Sequence, residues 1–219
     1  MKIKAAVFDM DGLMFDTERL AMAAWDYAGE KMGLGKAGYM VMKTLGVTAE
    51  RADEIWREEF GADIDTEAMR RYGREFTGDF YEHNKVPVKP GLYKLLDWLK
   101  SAGIKTAVAS SSTRRAVDRN LKSAGITDKF NVTVCGEMAA RSKPAPDIYL
   151  KACELLGESP EDCIALEDSR NGLWSAHNAG CRVIMVPDLW QADEETEKIL
   201  WKKLGSLLEV RDFLRDNEQ

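Results

Sequence analysis

Short apolar runs alternate with helical patterns along most of this chain, and this alternation restricts the fold more than any other feature. The runs Ala5–Phe8, Lys105–Ala109 and 163–166 have the length and the apolar character of buried strands. Two further strands are predicted at 131–135 and 182–186. Helical patterns follow these strands, and they are predicted at 92–102, 113–124, 147–156, 171–179 and 206–215. The alternation predicts an α/β fold whose parallel, doubly wound (Rossmann-like) sheet is covered by helices on both faces.

A helical region interrupts the alternation directly after the first strand. Over about 70 residues the patterns indicate only helices, for example at 48–60 and 66–81. We therefore predict a discontinuous organisation, with an α/β catalytic core formed by residues 1–16 and 87–219 and an inserted helical cap formed by residues 17–86. The large aromatic residues of the insert are interpreted as the core of the cap; they are Trp25, Trp56, Tyr72 and Phe76.

The charge of the chain excludes one class of partner. With a net charge of -6 and an isoelectric point near 5.2, the chain lacks the basic stripe that a nucleic-acid surface requires. Small anionic substrates remain compatible with this composition, because a local cation can outweigh the overall charge. The acidic run at 193–197 is interpreted as a solvated surface turn.

The sequence further predicts a cytoplasmic protein with no membrane partner. No apolar run approaches the roughly 20 residues that a membrane span requires, and the first residues lead into a strand instead of a signal peptide. The cysteines form no Cys-x-x-Cys pair, and we predict that they are free, buried thiols in a reducing compartment. They are Cys135, Cys153, Cys163 and Cys181. The sequence specifies no oligomeric state.

Polar residues follow the predicted strands at the places where ligands bind in open α/β sheets. Asp9 and Asp11 follow the first strand, and later segments add Ser110, Ser111, Lys143, Glu167 and Asp168. Each residue alone has an ordinary explanation, since aspartates favour turns, serines cap helices and lysines lie at surfaces. Because right-handed crossovers place the carboxyl ends of all strands at one edge, we expect these side chains to meet there.

Such a cluster suits a hard cation and a phosphoryl group. Four carboxylates within a few ångströms repel one another unless a cation lies among them, and an all-oxygen site that leaves room for phosphate favours Mg²⁺. A carboxylate in such a site can attack phosphorus and form an aspartyl-phosphate. Lys143 would offset the negative charge, while Ser110 and nearby backbone amides would hold the phosphoryl oxygens. A second carboxylate two residues away can give a proton to the leaving oxygen and later take one from water.

These residues resemble the four sequence motifs of the haloacid dehalogenase superfamily. The motifs are Asp-Met-Asp-Gly at 9–12, Ser110, Lys143-Pro144 and Glu-Asp-Ser at 167–169. Their order and spacing resemble the subgroup with a helical cap inserted after the first motif, which contains β-phosphoglucomutase and many small phosphatases. The resemblance covers nearly the whole chain, including the stretches 8–19 and 142–149.

The resemblance implies a role for each motif residue. Asp9 would be the nucleophile and Asp11 the general acid and base. Mg²⁺ would be held by the carboxylates of Asp9 and Asp168 and the backbone carbonyl of Asp11, with Glu167 supporting or ligating. The phosphoryl group of the substrate would be bound by Ser110, Ser111 and Lys143.

Two departures from the β-phosphoglucomutase pattern favour a phosphatase over a phosphomutase. That pattern has a histidine where this chain has Ala21, and it has an arginine that grips the distal phosphate where this chain has Ala49. Arg51 lies two residues from the second position and is a candidate contact with a different geometry. The stretches 11–18 and 183–188 are closer to sugar- and nucleoside-phosphate phosphatases.

We therefore predict a hydrolase that removes phosphate from a small phosphorylated metabolite, a sugar or nucleoside phosphate, with Mg²⁺ as its cofactor. The first alternative is a phosphomutase that passes the phosphoryl group to a second sugar hydroxyl. The second is a phosphorylatable binding module without turnover. We expect the cap to close over the site and to select the leaving group, with Thr17 and Glu18 at the hinge as candidate contacts. Arg74, a further candidate, is interpreted as a solvated helix residue.

Overall fold

The chain divides into two compact units. The structure is a computed structural model that describes residues 3–44 and 49–217. The first unit consists of Met1–Phe15 and Pro87–Gln219, and the second is Asp16–Val86. Asp16, which the sequence analysis placed in the core, belongs to the second unit. The functions of catalytic core and cap remain predictions for these two units.

The first unit is built on a six-stranded sheet. Its strands are β1 (Ala5–Phe8), β2 (Lys105–Ala109), β3 (Val132–Val134), β4 (Cys163–Glu167), β5 (Arg182–Met185) and β6 (Leu200–Lys203). They lie in the order β3-β2-β1-β4-β5-β6, and every neighbouring pair is parallel. The predicted parallel α/β sheet is confirmed.

Ten helices of four or more residues accompany the sheet in the described residues. Four belong to the second unit: α1 (Thr17–Lys31), α2 (Met40–Thr44), α3 (Ala49–Phe60) and α4 (Thr66–His83). Six belong to the first unit: α5 (Leu92–Ser101), α6 (Arg114–Ala124), α7 (Asp147–Leu156), α8 (Arg170–Asn178), α9 (Glu194–Glu197) and α10 (Leu207–Asn217). None of these helices is long and apolar enough to cross a membrane.

The centre of the sheet determines where chemistry can occur. β1 lies between β2 and β4, and Phe8 is level with Val108 on one side and Leu166 on the other. All residues of β1 and β4 are buried, as expected for parallel strands covered on both faces. Because the carboxyl ends of these three strands are level, the residues that follow them share one crevice at the point where the strand order reverses.

The core of the first unit accounts for the burial of the cysteines. One face of the sheet packs against α7 and α8 through a continuous apolar cluster that contains Ile148, Tyr149 and Leu173. All four cysteines are free and buried, so the predicted buried thiols are confirmed.

Two features of the first unit differ from the sequence analysis. The edge strand β6 was not predicted, because three of its four residues are exposed and its Leu-Trp-Lys-Lys sequence lacks an apolar run. The acidic residues of the run 193–197 are exposed as predicted, but the predicted turn is wrong, since the run forms a short helix. Its first residue, Asp193, caps the short helix α9 by accepting a hydrogen bond from the amide of Thr196, and Thr196 Oγ1 accepts one from the amide of Asp193.

The second unit has its own small core. Trp56 is buried with Met40 and Met69, and the rings of Trp25 and Trp56 lie 5.3 Å apart edge to face. Tyr72 packs against the same cluster. The predicted packing of these three aromatic residues in the core of the insert is confirmed, while a fourth, Phe76, contacts the ring of Tyr27 at 5.5 Å.

The arginines proposed from the sequence as substrate contacts have other surroundings within the second unit. Arg74 is exposed. Arg51 lies 2.8 Å from Glu54 and 3.0 Å from Glu58 on its own helix. The loop at 46–48 that was compared with the phosphomutase pattern lies outside the described residues, as does the side chain of Ala49.

Candidate active site

Three neighbouring strands deliver the central residues of the site. Asp9 follows β1, and its amide donates a 3.0 Å hydrogen bond to the carbonyl of Leu166 on β4. Glu167 is the last residue of β4, and Asp168 follows it. Carboxylate oxygens of Asp9, Glu167 and Asp168 all lie within 4.8 Å of one another, and the three residues are buried. The structure therefore brings together three of the four residues predicted to hold a metal.

The carboxylate of the fourth residue, Asp11, contacts the segment that follows β2. Ser112 Oγ donates a 2.7 Å hydrogen bond to Asp11 Oδ2. Ser110 Oγ lies 3.5 Å from the same oxygen and accepts a 3.1 Å hydrogen bond from the amide of Ser112. The side chain of Asp11 is thus oriented by hydroxyl groups. Metal ligation by its backbone carbonyl remains a prediction.

Lys143 reaches this cluster from the loop that precedes α7. Its Nζ donates hydrogen bonds to Asp9 Oδ1 at 2.5 Å, to Glu167 Oε1 at 2.6 Å and to the carbonyl of Ala109 at 3.1 Å. The side chain is only 8% exposed. A buried ammonium group needs partners of this kind, because an unpaired charge away from water is costly. Lys143 therefore belongs to the site and is not a surface lysine.

Glu167 is held by hydrogen bonds at both carboxylate oxygens. Oε1 accepts bonds from Lys143 Nζ and from the hydroxyl of Tyr149, at 2.6 and 2.7 Å. Oε2 accepts bonds from the amides of Asp168 and Ser169 and from Ser169 Oγ, at 3.1 to 3.3 Å. Ser169 also caps α8. The orientation of this buried carboxylate is consequently determined by the turn between β4 and α8 and by two side chains from the segment 143–149.

Burial and mutual repulsion shift the protonation equilibria of the cluster. Burial raises the pKa of Asp9 to about 8, with the carboxylates of Glu167 and Asp11 acting in the same direction and Lys143 opposing them. Burial works to lower the pKa of Lys143, but the nearby carboxylates of Asp9 and Glu167 outweigh it and raise the pKa above its ordinary value. Burial, followed by the charge of Glu167, also raises the pKa of Tyr149.

Two glycines make room for the carboxylates. Gly12 has φ +83°, and a Cβ atom added there would lie 2.2 Å from Asp168 Oδ2. A Cβ on Gly172, in the first turn of α8, would lie 1.9 Å from Glu167 Oε1. The backbone passes so close to both carboxylates that neither position tolerates a side chain.

The donor set of the cluster fits a hard divalent cation. It offers carboxylate oxygens from three residues, which are ligands that Mg²⁺ prefers. The composition of the cluster points the same way, because among the described residues it holds three carboxyl groups and only one cationic group, the ammonium of Lys143. Burial and, to a smaller extent, the neighbouring carboxylates of Glu167 and Asp11 raise the pKa of Asp9 despite the opposing charge of Lys143.

Three predicted residues remain, Ser111 in the first unit and Thr17 and Glu18 in the second. Ser111 is exposed, and its carbonyl packs closely against Gly136, where a Cβ would lie 2.4 Å away. Thr17 and Glu18 lie in the first turn of α1, within the second unit. Substrate binding by these three residues remains a prediction.

Sequence reasoning missed three residues of the site. Ser112 was one of three consecutive serines, and no pattern indicated which hydroxyl would reach Asp11. Tyr149 ends the motif stretch 142–149 and lies in a predicted helix, but the sequence analysis assigned it no role. Ser169 was quoted with Glu167 and Asp168 without a role. The signal for Ser169 was available, since a serine directly before a helix is a common cap.

Comparison with known proteins connects this arrangement to a family. The model of the haloacid dehalogenase-like hydrolase family matches residues 3–180. β-Phosphoglucomutase from Bacillus subtilis (strain 168) is 32% identical over 190 residues, which cover 84% of this chain and 83% of that protein. Hexitol phosphatase B from Escherichia coli (strain K12) is 30% identical over 224 residues, with 95% of each chain covered.

A solved structure agrees with both matches. The crystal structure of a variant of CbbY from Rhodobacter sphaeroides in complex with xylulose-(1,5)bisphosphate superimposes with a TM-score of 0.76 at 30% sequence identity. The match covers 94% of this chain and 96% of that one.

Proposed function

The chain belongs to the haloacid dehalogenase-like hydrolases, and we propose that it is a Mg²⁺-dependent phosphatase of small phosphorylated metabolites. One observation carries the proposal. Lys143 Nζ lies 2.5 Å from Asp9 Oδ1 inside a cluster of three buried carboxylates. In this proposal the carboxylate of Asp9 is a nucleophile beside a fixed positive charge at the carboxyl end of the central strand, where a phosphoryl group can be bound and transferred.

Asp9 acts as the nucleophile in this proposal. One of its carboxylate oxygens attacks phosphorus, a bond forms between that oxygen and phosphorus, and the bond from phosphorus to the oxygen of the substrate breaks. Lys143 remains hydrogen-bonded beside the reacting group and offsets the charge of the nucleophile and the phosphoryl oxygens. Ser110 lies at the same edge and is available to bind those oxygens.

Asp11 moves the protons. It gives a proton to the leaving oxygen, so that the metabolite departs as an alcohol, and it then takes a proton from the water that attacks the aspartyl-phosphate. The second step restores Asp9 and releases inorganic phosphate. The hydrogen bond from Ser112 Oγ to Asp11 Oδ2 supports this assignment, because it restrains the carboxylate that must serve both steps.

Mg²⁺ would be held by Asp9 and Asp168, with the backbone carbonyl of Asp11 as a further ligand and Glu167 close by. When bound, it supplies positive charge that offsets the developing negative charge on the phosphoryl oxygens. Gly12 supports this assignment, since its lack of a side chain lets the backbone approach the carboxylate of Asp168.

The relatives indicate the class of substrate. One is named hexitol phosphatase, and another is seen with a phosphorylated ketose. Both names describe small, polyhydroxylated phosphate esters. We infer that the substrate of this chain belongs to the same class of sugar and polyol phosphates, with nucleoside phosphates as the next class to be tested.

Release of inorganic phosphate tests the proposal. The purified protein is incubated with hexitol phosphates, sugar phosphates and nucleoside monophosphates in the presence of Mg²⁺. We expect steady release from at least one ester, loss of release on adding EDTA, and loss in Asp9→Asn. Asp97→Asn, which alters an exposed aspartate paired with Lys129, is the matched control and retains activity. The proposal would be contradicted if none of these esters released phosphate.

The phosphomutase alternative has one specific observation in its favour, the 32% identity to β-phosphoglucomutase. Incubation with β-glucose 1-phosphate and a bisphosphate primer separates the two activities. A phosphatase yields inorganic phosphate and glucose, whereas a phosphomutase yields glucose 6-phosphate. We expect the first outcome, because Ala21 and Ala49 replace the two residues of the mutase pattern.

A further inference from the structure

The hydrogen bonds of Glu167 leave little capacity for a metal. A carboxylate offers about four lone-pair positions, and Glu167 accepts five hydrogen bonds, two at Oε1 and three at Oε2. Its side chain is completely buried. A metal ion bound directly to Glu167 would have to displace at least one of these hydrogen-bond donors. Asp9 differs from Glu167 in its side-chain partner: its Oδ1 accepts a hydrogen bond from Lys143, which itself belongs to the site.

Tyr149 contacts both members of the Lys143–Glu167 ion pair. Its hydroxyl donates a 2.7 Å hydrogen bond to Glu167 Oε1, and Lys143 Nζ lies over its ring, 5.1 Å from the ring centre. Tyr149 is fully buried on α7, the helix that packs against the central strands. A buried tyrosine hydroxyl needs a partner, and this one is aimed at the oxygen that also receives the ammonium of Lys143.

We propose that Tyr149 is a positioning residue that holds Glu167 as the anchor of Lys143, so that Glu167 acts through Lys143 and not as a direct ligand of the metal. The inference rests on the proposed function, because it assigns Lys143 to the phosphoryl group. In this arrangement Asp9 and Asp168 hold the metal, and the pair of Tyr149 and Glu167 determines where the lysine stands. The hydroxyl of Tyr149 therefore affects phosphate binding and leaves metal binding unchanged.

Tyr149→Phe tests this inference, since it removes one hydroxyl and keeps the ring beneath Lys143. Thr106→Val is the matched control. Thr106 is buried on β2, and its hydroxyl donates a 2.6 Å hydrogen bond to the carbonyl of Lys129, outside the site. Both variants lose a buried hydroxyl, which in Thr106 also lies 3.5 Å from Asn131 Oδ1. Thermal unfolding of both variants therefore identifies the part of any effect that is due to lower stability alone.

Two calorimetric titrations without substrate provide the measurement. MgCl₂ is titrated into each protein, and inorganic phosphate is titrated into each protein saturated with MgCl₂. For Tyr149→Phe we expect the dissociation constant of phosphate to rise about tenfold, the scale of effect typical for residues that orient a direct contact. We expect the dissociation constant of Mg²⁺ to equal the wild-type value, because Tyr149 contacts neither Asp9 nor Asp168 in this arrangement. Thr106→Val changes neither constant.

The other outcomes overturn the inference in distinguishable ways. If Mg²⁺ affinity falls in Tyr149→Phe as much as it does in Asp168→Asn, Glu167 is a metal ligand that Tyr149 orients. If both constants are unchanged, Tyr149 has only a structural role. If wild-type protein binds Mg²⁺ and phosphate but releases no phosphate from any ester, the proposed function fails while the titrations still decide the role of Tyr149. If wild-type protein binds neither probe, both proposals fail.

Discussion

Lys143 Nζ lies 2.5 Å from Asp9 Oδ1, although 134 positions separate the two residues in the chain. The contact joins the end of the central strand to the loop before α7, and it is buried. Each group lowers the free-energy cost of burying the other, since an isolated charge in the interior would be strongly unfavourable. The proposed chemistry and the stability of the core therefore depend on the same pair.

Removing the charge of Lys143 is predicted to weaken both properties. Lys143→Met leaves Asp9 and Glu167 buried without their cation, and breaking a buried ion pair from one side costs about 3–5 kcal/mol. Urea unfolding in the presence of EDTA measures this loss of stability. In a separate assay with Mg²⁺, phosphate release is expected to fall by about a hundredfold or more. Lys151→Met, which alters an exposed lysine on α7 paired with Glu154, serves as the control. An unchanged urea midpoint for Lys143→Met would show that the ion pair does not stabilise the fold.

Loss of the hydroxyl of Ser112 is predicted to slow turnover without weakening substrate binding. Ser112→Ala removes the 2.7 Å hydrogen bond to Asp11 Oδ2, so the proposed general acid and base is less well oriented. We expect kcat to fall about tenfold, a fraction of the roughly 10²–10⁴-fold that acid–base catalysis contributes, and KM to change little. Steady-state kinetics checks this, with Ser101→Ala, an exposed serine bonded to the carbonyl of Trp98, as the control. A large rise in KM with kcat unchanged would instead show that Ser112 contributes to binding of the substrate.

An alanine at position 12 is predicted to weaken Mg²⁺ binding, an effect separate from the backbone strain that it also causes. Gly12→Ala adds a Cβ 2.2 Å from Asp168 Oδ2, at φ +83°. Gly125→Ala is the matched control, because Gly125 also has positive φ, at +67°, but has open space around it. Backbone strain alone costs about 1–2 kcal/mol in each variant. We expect Mg²⁺ titration to show weakened binding only in Gly12→Ala, and equal affinities in the two variants would refute a role for the close approach.

Binding of Mg²⁺ is predicted to release a proton near neutral pH. Burial raises the pKa of Asp9 to about 8, so this carboxyl is mostly protonated at pH 7 in the metal-free protein. Ligation requires the carboxylate, and the proton must therefore leave as the metal binds. At a pH well above 8 the carboxyl is already ionised and no proton is released.

Calorimetry in two buffers of different ionisation enthalpy measures this proton. The apparent binding enthalpy of Mg²⁺ is expected to depend on the buffer at pH 7 and to become independent of it at about pH 9.5, where little protonated Asp9 remains. Asp9→Asn removes the proton and is the control for other titrating groups. Buffer-independent enthalpy at pH 7 would show that Asp9 is ionised before the metal arrives.

The sequence predicted the parts of this molecule that obey simple periodicity. Apolar runs at Ala5–Phe8 and Lys105–Ala109 are strands with those bounds in the structure, because strands buried on both faces require continuous apolar side chains. The parallel topology then implied that Asp9, Lys143 and Asp168 would lie near one another. Their proximity is a consequence of where strands end, and it could be inferred without any knowledge of side-chain contacts.

Contacts that depend on side-chain direction could not be predicted in this way. Ser110, Ser111 and Ser112 are identical in chemistry, and only the path of the loop determines that Ser112 donates the 2.7 Å bond to Asp11. Tyr149 occupies a helix position that an apolar residue could fill, and its hydroxyl matters only because Glu167 lies opposite. The edge strand β6 escaped prediction for a related reason, since its side chains are mostly exposed.

The position of β1 in the middle of the sheet has a consequence for biosynthesis. The ribosome makes this strand first, yet the strands on either side of it come about 100 and 160 residues later in the chain, and such long loops are slow to close. A nascent chain thus carries an unpaired central strand through most of translation. Its hydrogen bonds with β4 can form only after that late strand has left the exit tunnel, so the sheet and the carboxylate cluster of Asp9, Glu167 and Asp168 form at the same late stage.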